Sequence, residues 1–141
     1  LPMLAQLLVK LNVDQFQLAF VHAIGNARKN FDEVVPSISL AASYIHKALQ
    51  VGINSGKIVM AEAMPYCQMK GYERYISEKF IPDTEVRGRE YQNTDDSGSQ
   101  RKHCSKMKFI QCKECKYDSV CEGPWKEYPQ KRGDKEFVPV K

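Results

Sequence analysis

The chain has 141 residues, 43% of them hydrophobic, which is one domain's length with enough apolar material for a packed core; a disordered tail is excluded. Its 21 Lys and Arg against 17 Asp and Glu give a formal charge of +4, too mild and too interleaved with acids to single out nucleic acid as a partner. Five cysteines, an odd number, argue against a complete disulfide framework. With no stretch resembling a signal peptide or a membrane span, reduced thiols in a cytoplasmic, membrane-free setting are expected.

LPMLAQLLVKL places Leu1, Leu4, Leu7, Leu8 and Leu11 on one helical stripe, with Pro2 where a first turn tolerates it, and Asn12 ends the helix. QFQLAFVHA, from Gln15 to Ala23, begins with period-2 alternation and finishes as an apolar run, the pattern of a buried strand; Gly25 and Asn26 break it. PSISLAASYIHKALQV puts Ile38, Ala41, Ala42, Ile45, Ala48 and Leu49 on one face of a second helix, with Gly52 or Ser55-Gly56 as its stop. KIVMAEAM, ending at Pro65, reads as a second strand.

Two strands joined by a helical crossover should lie parallel. Parallel sheets are normally larger and covered on both faces, so the pattern points to the back end of a larger α/β protein; the alternative is a small two-strand domain completed by its own tail or by oligomerisation. YCQMKGYERYISEKF carries a partial stripe of Tyr72, Tyr75, Ile76 and Phe80 that suggests one more helix. Three units result: α/β repeats over 1–82, a polar, flexible loop over 83–103, and a small irregular Cys-rich extension over 104–141.

QCKECKYDSVCEG sets Cys112, Cys115 and Cys121 at ligand spacing, since two intervening residues let both sulfurs point at one centre from a single turn. A fourth ligand is required. Cys67, directly after the second strand, is favoured because function in parallel α/β folds gathers beyond the C-terminal ends of strands; Cys104, in the polar loop, is the competitor. Four thiolates suit a structural zinc or an iron-sulfur cluster, and a single CxxC knuckle tilts the spacing towards the cluster. Lys108, Lys113 and Lys116 would offset the charge of either. His22, Asn26, Arg28, Glu62 and Met64 fall near the same rim of the sheet and are pocket candidates, whereas His46, expected on a helix surface, and His103 receive no role. No phosphate-cradling glycine loop, nucleophile elbow or His-Glu-x-x-His pair occurs.

The order FVHAIGNARKNF, VVPSISLAASYIHKAL, a strand leading to EAMPYCQMKGYERYISE, and finally CKECKYDSVCEGPWKEY resembles the carboxy-terminal half of a radical S-adenosylmethionine (SAM) protein. The resemblance implies the end of a partial (β/α)6 barrel over residues 1 to about 80 and, over 104–137, an auxiliary-cluster extension of the SPASM or twitch kind. It implies that Cys67, Cys112, Cys115 and Cys121 hold an auxiliary [4Fe-4S] cluster, serving electron transfer or closure of the fold. It also implies that His22, Asn26, Arg28, Glu62 and Met64 lie where the family binds SAM and substrate. The expected partners are the N-terminal half of the parent chain, an electron donor, and a peptide or small-molecule substrate. The family's CxxxCxxC motif, whose cluster cleaves SAM, does not occur in these 141 residues. The chain alone is therefore expected to be inactive, and a zinc-stapled structural or partner-binding α/β module is the alternative.

Overall fold

The structure, a computed structural model, describes residues 1–81 and 105–141; the expected polar loop over 83–103, His103 and Cys104 lie outside the described residues. Helix α1 (Pro2–Lys10) starts with proline in its first turn and is followed by Asn12 at φ 55°, a left-handed conformation that asparagine tolerates better than most residues. Strands β1 (Gln15–Ala19) and β2 (Ile58–Glu62) pair in parallel, with Phe16 opposite Val59 and Leu18 opposite Ala61. Those four side chains form the buried face of the sheet. The other face carries Gln15, Gln17 and Ala19 on β1 with Ile58, Met60 and Glu62 on β2, and there the Gln17 amide donates to the Glu62 carboxylate.

Between the strands lie two short helices, α2 (Gly25–Lys29) and α3 (Phe31–Val34), and then α4 (Ile38–Asn54). Ser37 caps α4: its backbone is extended and its hydroxyl accepts from the Leu40 N–H at 3.3 Å. The face expected from the sequence is the one that is buried, Ile38, Ala41, Ala42, Ile45, Ala48 and Leu49. Gly52 does not stop this helix. It lies inside it, where α4 presses on the sheet so closely that an added Cβ would sit 2.3 Å from Val59 Cγ1 and 2.7 Å from Phe16 Cζ.

Three other expectations are corrected. The α1 stripe is not a core face: α4 packs along the Ala5 and Leu8 side, which leaves Leu1, Leu4, Leu7 and Leu11 exposed. Residues 66–80 form three single 3-10 turns (Tyr66–Gln68, Glu73–Tyr75 and Ser77–Phe80) instead of a helix, because the Ile76 backbone is extended and bridges in parallel to Ala61 at the edge of β2. His46 is half-buried, its ring stacked on Tyr72 at 4.5 Å, so desolvation holds its pKa below the usual histidine value. In the tail, a 3-10 helix (Ile110–Glu114) and α5 (Glu127–Arg132) supply regular turns, and the rest is irregular. Among the described residues no helix is long and apolar enough to cross a membrane.

Candidate metal centre

β2 ends in a backbone kink. Ala63 adopts φ 58°, an unusual conformation for a residue with a Cβ, and its N–H donates to Glu78 Oε1 at 2.6 Å. Met64 and Pro65 follow, and the Tyr66–Gln68 turn then carries Cys67 over the strand end. From the opposite side the Ile110–Glu114 turn carries Cys112 and is followed by Cys115, whose N–H donates to the Cys112 carbonyl at 2.9 Å. The chain reverses once more, with the Cys121 N–H on the Tyr117 carbonyl at 2.8 Å.

These turns place Cys67, Cys112, Cys115 and Cys121 around one cavity, walled by Pro65, Phe109 and Phe137 and reached by Lys108. The space between the lining side chains is about 360 Å3, part of it open to solvent. As the side chains stand, no three His, Cys, Asp or Glu among the described residues converge tightly enough to hold a single metal ion. The four sulfurs share a space and not a common point.

Three of the four sulfurs accept a backbone N–H at 3.4 Å: Cys112 from Phe109, Cys121 from Gly123, and Cys115 from Val140. The nearby Tyr66 backbone also favours the ionised form of Cys121. Donors of this kind favour a thiolate and orient it. Burial works the other way, raising the pKa of Cys121 and, together with the nearby Cys121, Cys112 and Cys115, pushing that of Cys67 to about 12. Cys67 and Cys121, crowded into a mainly apolar hollow, thus resist ionisation until a cation enters, and amides are already aimed at three of the sulfurs that could then ligate it. By its chemistry the donor set fits a thiolate-ligated zinc or iron-sulfur group. Gly123 has a backbone reason to be there. Its φ is 80°, and a Cβ would lie 1.9 Å from the Met107 carbonyl oxygen.

The rim residues fare differently. The His22 ring stacks on Trp125 at 4.0 Å, nearly parallel, and its Nε2 lies 3.2 Å from Glu127 Oε2, so it joins strand end to tail. On the far face of Trp125 stands the Lys106 ammonium, 3.9 Å from the ring centroid and 3.7 Å from Glu78 Oε1, with its side chain fully buried. Glu62 is half-buried and engaged by Gln17, Met64 is buried, and Asn26 and Arg28 are exposed on α2. The structure brings the four cysteines together. Of the lysines proposed to offset a centre, Lys108 lines the cavity but is held by the Asp118 carboxylate at 2.9 Å, while Lys113 and Lys116 point outward.

Sequence reasoning missed the clamp that docks the tail. Tyr128 accepts from the Ile38 N–H at 2.8 Å and donates to the Glu136 carboxylate; Glu136 in turn accepts from the Ser39 N–H at 3.0 Å and hydroxyl at 2.6 Å. Arg132 donates to the Val35 carbonyl, and the Gln68 amide reaches the Glu136 carbonyl. A carboxylate and a hydroxyl thereby satisfy the first free amides of α4. Comparisons with protein-family models, with curated proteins and with solved structures found no match to this chain.

Proposed function

We propose that this chain is the C-terminal part of a radical SAM enzyme, contributing an auxiliary [4Fe-4S] site and part of the wall of the SAM and substrate pocket. The observation that carries the reading is the convergence of Cys67 with Cys112, Cys115 and Cys121 around one cavity, three of them already supplied with N–H donors. A shared space suits a multi-atom cluster better than one zinc ion, which needs every sulfur at about 2.3 Å. When bound, the cluster would supply one-electron chemistry and a covalent closure of the tail. The protein's part is to hold four thiolates, to stabilise them with backbone amides, and to keep bulk water behind Phe109 and Phe137.

Two further features support a larger parent. Among the described residues only two strands pair, and α1 leaves a row of leucines exposed, with Leu7 at 49% and Leu11 at 65%; both are surfaces that a preceding set of barrel repeats would cover. The polar sheet face bearing Gln17 and Glu62, with His22 and Met64 at the strand ends and Asn26 and Arg28 beyond, would line the chamber for SAM and a peptide or small-molecule substrate. In this reading the partners are the N-terminal half of the parent and an electron donor, in the cytoplasm, and catalysis requires the SAM-cleaving cluster that these residues lack.

The zinc-stapled module is the second reading, favoured by the tail's small share of the apolar core. Iron, sulfide and zinc content with the visible spectrum, after anaerobic purification and reconstitution, separates the two. About four irons and four sulfides per chain with broad absorbance near roughly 400 nm are expected. One tightly held zinc and a colourless protein after reconstitution would overturn the cluster.

A further inference from the structure

Among the described residues, Lys106 is the only charged one in the buried set, and its side chain is fully buried. The ammonium stands between the Trp125 ring, with the centroid 3.9 Å away, and the Glu78 carboxylate, whose Oε1 lies at 3.7 Å. Its backbone is fixed from the tail side. Lys106 bridges Trp125 in antiparallel fashion, with the Met107 N–H on the Pro124 carbonyl at 3.1 Å and the Lys126 N–H on the Ser105 carbonyl at 3.0 Å. A buried ammonium requires a counter-charge, and Glu78 supplies it from the body of the fold.

Glu78 faces two ways. The same Oε1 accepts the Ala63 N–H at 2.6 Å, at the kink that ends β2. With φ at 58°, Ala63 holds a conformation that a residue with a Cβ keeps only where its surroundings over-determine it. Beyond the kink, Met64, Pro65 and Tyr66 lead to Cys67, the one member of the cysteine set that comes from the body of the fold. Glu78 also lines a small hollow with Pro65, Tyr66 and Cys121. A continuous line of contacts therefore runs from the tail to the strand end: Lys106 to Glu78, Glu78 to Ala63, and Ala63 along the chain to Cys67.

We infer that Lys106 is a positioning residue: by holding Glu78 on the strained amide of Ala63, it sets Cys67 in place as the fourth member of the cysteine site. The inference rests on the four-cysteine reading above and names the residues that decide whether the site closes with four sulfurs or stays open with three. Without the ammonium, the Glu78 carboxylate, only 8% exposed, loses its counter-charge and must turn to solvent or take a proton. Its hold on the Ala63 N–H weakens in either case, and the end of β2 relaxes to ordinary extended backbone. Pro65, fixed in φ, passes that change on to Tyr66 and Cys67. The three tail sulfurs keep their own donors from Phe109, Gly123 and Val140, so the loss falls on one ligand. A metal centre with three protein ligands keeps an open position for water or substrate, and one with four is closed.

The test starts from the whole chain, reduced and stripped of metal, and times the alkylation of each cysteine by iodoacetamide with mass-spectrometric readout. Lys106→Met keeps the apolar stem and removes the charge; Cys67 should react about tenfold faster, while Cys112, Cys115 and Cys121 stay within about threefold of the unaltered chain. Lys106→Arg, which keeps a cation over Trp125, should behave like the unaltered chain. The deciding variant adds Ala63→Gly to Lys106→Met. Glycine adopts a positive φ without strain, so Cys67 should regain most of its protection although the charge is still missing. After anaerobic reconstitution, Lys106→Met should hold about three irons per chain, with the electron paramagnetic resonance signal of an oxidised three-iron cluster, where the unaltered chain and the double variant hold about four. Equal acceleration at all four cysteines without rescue by Ala63→Gly would overturn the inference and make Lys106 a general support of the tail. Unchanged Cys67 reactivity in Lys106→Met would overturn it as well. A chain that takes up no iron in any form would overturn the cluster, while the alkylation rates still decide the role of Lys106.

Discussion

The two halves of this molecule are held together by different physics. Residues 1–81 fold around an apolar core, in which α4 and the parallel strand pair bury Phe16, Leu18, Ile38, Ile45, Leu49, Val59 and Ala61. The tail, 105–141, contributes only Tyr128, Phe137 and Val140 to the buried hydrophobic set. It is positioned instead by polar contacts of defined direction: Tyr128 and Glu136 on the start of α4, Arg132 on Val35, Lys106 and His22 on either face of Trp125, and amides on three thiols. Burial of area is tolerant of small displacements, whereas hydrogen bonds and ring stacks are not. The first half can therefore form by hydrophobic collapse, while the second needs a finished surface to dock on and gains most from a bound centre.

Changes that affect one half and spare the other sharpen this contrast. Cys115→Ser should have the largest effect, removing a proposed ligand and the sulfur that accepts from the Val140 amide. Iron uptake should fall from about four per chain to near zero. Limited proteolysis should then cut within 107–141 while 1–81 stays intact; full metal content with unchanged protection would refute the ligand assignment. Leu49→Ala, at a fully buried position, should cost about 2–5 kcal/mol in denaturant unfolding of the whole chain, without a change in metal stoichiometry where the chain is folded.

Two glycines offer a matched pair. Gly123→Ala meets a backbone oxygen from a left-handed conformation, so the tail must rebuild, at about 3 kcal/mol or more, with loss of iron and little change in far-ultraviolet circular dichroism. Gly52→Ala meets side chains in the core, and the gain in helix propensity offsets part of the overpacking. It should cost about 1–2 kcal/mol, read as a lower unfolding midpoint with iron binding retained.

The smallest effect is electrostatic. Burial tends to raise the Glu136 pKa, but hydrogen bonds from Ser39 and Tyr128 outweigh it and hold it below the usual carboxylate value. Its contribution is therefore fully present above the unfolded-state pKa and is lost as pH falls through the lower folded value. Trp125 is the only tryptophan, so its emission should report the tail leaving His22 below about pH 4.5, the ordinary Glu value. Glu136→Gln should flatten that transition. An identical profile in this variant would place the acid sensitivity elsewhere.

How much was legible beforehand follows the same division. The α4 face and the two parallel strands could be read because long periodic patterns are set locally, whereas the Ser37 cap emerged only from the structure. The α1 stripe misled because periodicity reports an apolar face without saying what covers it. Residues 66–80 misled because a strand edge claimed Ile76 from a plausible helix. The cysteine spacing announced a site, and the rule that function gathers beyond strand ends brought Cys67 to it. What supports the site was not legible. His22 and Glu127 are 105 positions apart, and the donors to sulfur are backbone amides, which every sequence has.

The amide of Val140 makes the last residues of the tail part of the site. It reaches back 25 positions to Cys115, so a chain cut just before Val140 would keep Cys67, Cys112, Cys115 and Cys121 and still lose the donor to one of them. Such a clipped chain would carry an open-mouthed hollow, easier to fill and easier to oxidise at its thiols, and proteolytic trimming past Val140 would be enough to convert one form into the other.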